Sequence, residues 1–592
     1  MILSALDVTI LVAYFLVTLA IGLVVSRRAG RSASDYFASG RSMPWWLLGT
    51  SMVATTFSTD TPNLVTDITR AHGVAGNWAW WSFLLTGLLT VFVYARLWRR
   101  SGLLTDLEFY ELRYSGRAAA FLRGFRALYV GLFFNVAIMA AVSLAAIKIG
   151  GVMFGLTPFQ TIFVASLVTV VVAALGGLEG VLWTDFFQFG LAMAGSVAAA
   201  VVAVRHPEVG GLDRLLAHPE VARRLSLWPD FSQPEAYVPL FLVPLAVQWW
   251  ASWYPGSEPG GGGYVAQRML AAKDENHATA AVLLFNVAHY VLRPWPWILV
   301  ALASLVVFPD LAALTRAFPA LDPGIVREDL GYSAMLTFLP SGLLGLVVGS
   351  LAAAYMSTIS THLNWGSSYL VHDFYRRFIK PTATDRELVL VGRWSTVVLM
   401  VFAGALALVL SNALQAFQVL LQIGAGTGLL FILRWFWWRV SAWSEIVAMA
   451  VSGLVAAFFT FRPSGLAAWQ ELLVGVGLTT AAWLAATFLA PPTAEGTLVE
   501  FVRRTRPGGP GWRRVRAAAV ARGELPATEP SWSVPLGILC MVCGSVAIYA
   551  ALFATGSALY GRWPVAAALC VLALGAGGAT WAAWRRLAAC ER

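Results

Sequence analysis

Apolar stretches of about 20 residues recur along this chain, and most are separated by short loops rich in arginine. A run of that length is what an α-helix needs to cross the hydrocarbon core of a bilayer. Hydrophobic residues make up 58% of the 592, and charged residues only 12%. A water-soluble chain carries about twice that share of charge, so the sequence reads as an all-α polytopic membrane protein. The net charge of +10 comes from arginines between the spans, which is the orientation signal of a membrane protein. No basic arm with interleaved aromatics points to nucleic acid. Cys540 and Cys543 form a lone C-x-x-C inside an apolar span and read as small packing residues, not as a metal or redox pair.

About fifteen spans are expected, with the N-terminus outside and the C-terminus cytoplasmic. Asp7–Val25 is followed by Arg27, Arg28 and Arg31. A signal peptide carries its positive charge ahead of the apolar core, so residues 1–42 read as an extra retained helix with a cytoplasmic loop. Residues 43–204 hold five spans: Met43–Thr69, Trp78–Leu97, Ala119–Phe154, Pro158–Leu175 and Gly180–Val204. The segment 205–236 is acidic and reads as extracellular. Residues 237–436 hold five more: Tyr237–Ala271, His277–Phe308, Pro340–Ser368, Leu388–Leu410 and Ala413–Phe436. Two additional helices fill 437–490. The segment 491–532 carries seven arginines among Pro and Gly and reads as a flexible cytoplasmic linker. Two helices close the chain in 533–592.

Two of these spans are irregular. The first contains ATTFSTDTPN (54–63), with Asp60 at membrane depth and Pro62 unable to support a regular helix around it. The second contains QWWASWYPGSEPGGGGYVAQR (248–268), with two prolines, a glycine run and Glu258. Irregular backbone at that depth is tolerated only where it is buried in protein or lines a wet cavity. Each irregular span opens a set of five, and an odd number of crossings inverts the second set. Interrupted spans at matching positions of two inverted halves mark a transporter site near the bilayer midplane. Their exposed carbonyls suit a cation and their free N–H groups an anion.

A third feature is Leu351–Tyr375, LAAAYMSTISTHLNWGSSYLVHDFY. At about 100° per residue, Ser357, Thr358, Ser360 and Thr361 fall within one half of a helix surface. Neutral hydroxyl oxygens suit a hard cation. They equally suit close helix packing with interhelical hydrogen bonds.

On SMVATTFS (51–58), GGLEGVLWTDFFQ (176–188), YVAQRMLAAK (264–273) and AAAYMSTISTHLNWGSSYLVHDFY (352–375), the chain resembles the solute:sodium symporter family. The resemblance spans about residues 5–490. It implies a LeuT-like fold, a 5+5 inverted repeat. It also implies a main Na⁺ site made by the carbonyls of Ala54, Phe57 and Ala354 with the hydroxyls of Ser357 and Thr358. In members similar to sialic acid transporters a second Na⁺ uses further oxygens; here these are Asp185, Ser357, Ser360 and Thr361. One or two Na⁺ are therefore expected, with a structural role for Asp185 as the other reading.

The sugar-transporting members differ in the pocket. Where they carry Gln, Glu and Lys, this chain has Thr61, Trp80 and His289, which argues against a sugar. The solute candidates are Asp60, Thr61, Asn77, Trp253, Glu258, His289, Arg293 and Gln422. Arg293 either pairs with Asp60 or Glu258, or leaves a charge free for a carboxylate-bearing or zwitterionic solute. The expected function is a sodium-coupled secondary active symporter in the plasma (inner) membrane, its partners being Na⁺, a small solute and the lipid bilayer. The alternative is a sodium- or solute-binding receptor on the same scaffold. An enzyme is not expected, since no H-E-x-x-H, G-x-S-x-G or Cys/His cluster occurs.

Overall fold

The first long break falls where the sequence places it. The half-helix Trp45–Thr56 stops, residues 57–59 are non-helical, and a second half-helix runs Asp60–His72. Pro62 lies in the first turn of the second half, where a missing N–H costs nothing, but it cannot continue a helix arriving from residue 58. Thr61 spans the gap. Its hydroxyl donates to the Thr56 carbonyl (3.2 Å) and accepts from the Ser58 N–H (3.3 Å).

These details come from a computed structural model that describes residues 3–29, 39–251, 258–319, 321, 326–409, 424, 426–462, 464–528 and 532–590. Helices are the regular structure of the described residues, apart from one isolated parallel bridge between Met43 and Ala272. Among the described residues, eleven helices are long and apolar enough to cross a membrane. That is fewer than the fifteen spans expected, for a physical reason. Each half of the first broken span is too short alone: 12 and 13 residues rise only about 18–20 Å at 1.5 Å per residue. The second broken span is shorter still in its pieces, and much of 410–425 lies outside the described residues.

The second interruption is also real. Helical turns end at Trp250, and the half-helix Gly263–Ala271 begins after a glycine-rich passage. Gly260 and Gly261 adopt φ of +88° and +89°, a region that favours glycine. A Cβ at Gly261 would stand 2.6 Å from the Met269 methyl. The passage rests on Trp98, whose indole N–H donates to the Gly260 carbonyl (2.7 Å). Backbone hydrogen bonds join the two broken spans: Met43 N–H to Ala271 carbonyl (3.2 Å) and Lys273 N–H to Met43 carbonyl (3.1 Å).

Pro158–Leu175 and Gly180–Val204 were expected as separate spans. The structure gives one helical run, Pro158–Val204. It is not a straight rod, which would measure about 70 Å. Ala165 joins the apolar cluster of Tyr355, Met356 and Ile359. Asp185, 20 residues on, meets Ser357. Both lie against the same two turns of helix Leu343–Ser368, so the run bends back between them.

Helix Leu343–Ser368 is the centre of the bundle. It packs against Ala5–Ala29, Trp45–Thr56, Asn135–Phe154, Pro158–Val204 and Asp385–Ala407. Its N-terminus is capped from another helix. Asp7 accepts from the N–H groups of Gly342 and Gly345, both at 2.7 Å, a carboxylate placed at the positive end of a helix. Beyond Ser368 the helix widens into a π-helical stretch, Tyr369–Ile379.

The segment 491–532 is not the loose linker that its composition suggested. Helices Glu495–Thr505 and Arg513–Ala521 turn Leu498, Phe501, Val502 and Val515 inward, while the arginines other than Arg516 face out. Trp512 is fully buried and donates to the Trp435 carbonyl (2.9 Å). The Arg113 guanidinium lies 4.9 Å from the Trp512 ring and 5.4 Å from the Phe501 ring. The closing helices Val534–Leu559 and Trp563–Cys590 also dock. Trp295 donates to the Leu552 carbonyl (2.9 Å), and Tyr549 donates to the Trp81 carbonyl (2.8 Å).

Replacing Trp512 by Ala should cost about 3–5 kcal/mol. The expected signs are a lower melting temperature in detergent and tryptic cleavage between residues 503 and 522 that the wild type resists. A loose linker would be cleaved equally in both proteins.

Candidate functional site

The four hydroxyls of helix Leu343–Ser368 are all buried. Thr358 donates to the Thr55 carbonyl (2.8 Å), at the open end of the first half-helix. Thr361 lies 3.0 Å from the Thr55 hydroxyl. Ser357 donates to Asp185 Oδ1 (2.6 Å), and Ser360 donates back to the Ser357 carbonyl (3.2 Å). A hydroxyl that donates its single proton keeps lone pairs for another partner. Ser357 and Thr358 therefore remain able to face a cation.

The half-helix contributes the rest. Its last carbonyls have no continuing helix to serve, and the dipole places negative charge there. Phe57 N–H reaches back to the Val53 and Ala54 carbonyls, each at 3.0 Å. The structure thus brings Ala54, Phe57, Ser357 and Thr358 to one junction, with Ala354 one turn before Thr358 on the same helix.

Asp185 lies beside this junction and is fully buried. It accepts from Ser51 (2.5 Å) as well as Ser357. Arg268, from the half-helix Gly263–Ala271, approaches Asp185 Oδ2 at 3.8 Å. Its Nη2 donates to Thr361 Oγ1 (2.8 Å) and Ser51 Oγ (3.1 Å), and its Nη1 donates to Gln267 Oε1 (2.9 Å). Ser51, Thr55 and Arg268 were not singled out from the sequence. Ser51 and Arg268 lie inside stretches that carried the family resemblance, which was the available signal.

The solute candidates separate into groups. His289 sits on a π-helical turn, Ala288–Leu292, a geometry frequent at functional sites, and Arg293 follows directly after it. Arg293 is buried and reaches the break: Nη1 donates to the Val53 carbonyl (3.2 Å) and the Thr56 hydroxyl (2.9 Å), and Nη2 lies 2.7 Å from His289 Nδ1. Its guanidinium also stands 5.3 Å from the Trp297 ring. Thr56 and His289 meet at 3.2 Å, and the Trp80 ring faces His289 edge-on. Thr56 is a further member of this group that the sequence reading missed.

The expected pairing of Arg293 with Asp60 or Glu258 does not occur. Glu258 instead pairs with Arg126 and, at 3.3 Å, with Arg434. Arg434 also holds Glu445, and Glu445 accepts from Tyr114. This is a separate network, reached through residues far along the chain. Asn77 is engaged within its own segment: it donates to Thr69 and the Val74 carbonyl and accepts from the Trp80 indole. Thr61 bridges the helix break. Asp60 begins the second half-helix, and its Oδ1 has no partner among the described residues. Trp253 and Gln422 lie outside the described residues.

Asp106 ties the site's elements together from below. It accepts from the Gly263 N–H at the start of the Arg268 half-helix (2.8 Å) and from Tyr369, just beyond the hydroxyl helix. Burial pushes the Asp106 carboxyl above the ordinary carboxylate range, and its hydrogen bonds offset this only in part.

A many-helix membrane protein whose buried hydroxyls face the open carbonyl end of a broken helix is a solute transporter in architecture. The sodium:solute symporter family model matches residues 36–452, and the chain belongs to that family. It is similar to a sodium/glucose cotransporter of Vibrio parahaemolyticus, 27% identical over 80% of this chain and 88% of the relative. It is also similar to a sodium/sialic acid symporter of Proteus mirabilis (strain HI4320), 25% identical over 75% of this chain and 87% of the relative. Its fold is shared with a solved sodium-coupled sialic acid symporter in a substrate-bound, outward-open state. The TM-score is 0.65 at 21% identity, covering 83% of this chain and 99% of that one. These relatives are named as cotransporters and symporters, not enzymes.

Glu258→Gln should strand Arg126 beside a neutral group and leave Arg434 with Glu445 alone, at a cost of about 3–5 kcal/mol. The melting temperature in detergent should fall, while the solute concentration giving half-maximal uptake by the folded fraction stays at the wild-type value. A change confined to that concentration would instead place Glu258 at the solute.

Proposed function

We propose that this chain is a sodium-coupled secondary active symporter of a small carboxylate-bearing or zwitterionic solute in the plasma membrane. It works by alternating access within a 5+5 inverted repeat, with the N-terminus outside and the C-terminus cytoplasmic. The observation that carries this reading is the contact of Thr358 with the Thr55 carbonyl. It sets a cluster of neutral oxygens against the negative end of an interrupted helix, the donor chemistry a hard monovalent cation needs. Family membership makes Na⁺ that cation. A sodium ion held by Ala54, Phe57, Ala354, Ser357 and Thr358 binds one conformation more tightly than the other. That difference drives the exchange between outward and inward states.

The solute class is read from two charged residues at the first break, Arg293 buried and Asp60 partly buried. Arg293 has neutral neighbours: a carbonyl, a hydroxyl and an imidazole. Asp60 forms no ion pair among the described residues. A buried charge without a counter-charge is costly, and a solute carrying a carboxylate, with or without an amine, supplies what is missing. A receptor reading gains nothing from the structure. The segment 495–521, the region open to an output role, is packed onto the bundle.

Proteoliposomes with an imposed Na⁺ gradient test the reading against a panel of amino acids, organic acids and sugars. Uptake should require the gradient, and an acid should compete where its amide does not. Ser357→Ala and Thr358→Ala should each raise the Na⁺ concentration for half-maximal uptake about tenfold, equivalent to about 1.4 kcal/mol. If both leave it unmoved, the ion is held elsewhere. Arg293→Gln should abolish the preference for acid over amide.

A further inference from the structure

Arg268 occupies an unexpected place. It is fully buried, and it comes from the second broken span, not from the helices that carry the hydroxyls. Its Nη2 lies 2.8 Å from Thr361 Oγ1, 3.1 Å from Ser51 Oγ and 3.8 Å from Asp185 Oδ2. Asp185 and Thr361 are two of the four residues that a second sodium ion would use. The guanidinium is already among their oxygens.

We propose that Arg268 is a tethered cation filling the Asp185 site, and that Arg268 and a sodium ion exclude one another there. A hard cation of sodium's size coordinates oxygen at roughly 2.3–2.6 Å, as calcium does. An ion bound to Thr361 Oγ1 at that range would stand no more than about 5 Å from Nη2. Two positive charges so close, in a site shut off from water, repel strongly. Arginine cannot relieve this by losing its proton. Asp185 and Arg268 together are neutral, so an added ion would leave the buried pair with a net charge and no partner. At the main junction no arginine touches Ser357 or Thr358 among the described residues, and Arg293 reaches only the neighbouring Val53 carbonyl and Thr56 hydroxyl, so a single ion binds in the state seen here.

The arrangement also gives the exclusion a mechanical meaning. Sodium enters the Asp185 site only if Arg268 withdraws, and Arg268 is carried by the half-helix Gly263–Ala271. That half-helix is held at its start by Asp106, which also holds Tyr369. Filling the Asp185 site therefore works against a clamp between the second broken span and the hydroxyl helix.

The proposal rests on the symport reading only for the identity of the ion, and the test separates the two. Equilibrium binding of ²²Na⁺ to purified protein in detergent gives the number of ions per chain. R268Q should bind one more ion than the wild type, and the Hill coefficient for Na⁺-driven uptake should rise with it. The double variant D185N/R268Q leaves no buried unpaired charge, so it guards against misfolding of the single variant. It should bind the wild-type number. If R268Q gains no ion, or if D185N/R268Q binds one fewer than the wild type, the tethered-cation assignment is overturned. A wild type whose bound sodium survives Ser357→Ala and Thr358→Ala would instead overturn the main site, whatever Arg268 does.

Discussion

The structure turns on one unsatisfied helix end. Residues 57–59 leave the carbonyls of the half-helix Trp45–Thr56 without the N–H donors a longer helix would provide. Inside a membrane such groups find protein partners or carry a heavy penalty. Here Thr358 answers one from the hydroxyl helix and Thr61 answers another across the gap, while Arg293 adds a second donor to the Val53 carbonyl that Phe57 N–H already serves. Every element that meets this end does so with a polar group suited to a negative pole. The bundle can be understood as the packing needed to hold those three partners in place.

The breaks were legible because their causes are local. Pro62 and the glycines at 260 and 261 constrain the backbone wherever they occur, so a sequence reader sees them directly. The hydroxyl cluster was legible because helical spacing alone places four neighbours on one side. What could not be read was the choice of distant partners. Glu258 and Arg293 are both charged residues at membrane depth, and nothing in their own neighbourhoods says that one joins Arg126 and Arg434 while the other reaches the broken helix. Those pairings span more than 130 residues of chain and are settled by how the helices cross. The segment 495–521 was misjudged for another reason. Its proline, glycine and arginine content describes a linker, yet the spacing of Leu498, Phe501, Val502 and Val515 makes an inward stripe on two short helices. Composition concealed the pattern.

The chain also shows two ways of keeping charge inside a bilayer. Around Glu258, opposite charges compensate one another and aromatic faces enclose the arginines: Arg434 lies 4.6 Å from the Phe109 ring. That is a finished network. Around the first break the accounting is open, since Arg293 is buried and Asp60 partly buried, yet neither meets an ion of opposite sign among the described residues. A protein retains such imbalance only where something else supplies the balance during its working cycle. The two regions differ in how far their charges are paired.

One small feature reaches further than its size. Met43 donates its backbone N–H to the Ala271 carbonyl and accepts at its own carbonyl from the Lys273 N–H, so the entrance of one interrupted span is stitched to the exit of the other. Main-chain stitching transmits tilt without slack. If either span swings, its counterpart is dragged through the same arc, like two oars fixed to one yoke. The pieces that enclose the cargo would then move as a single rotor against the surrounding helices, and the seam at residue 43 would be its axle.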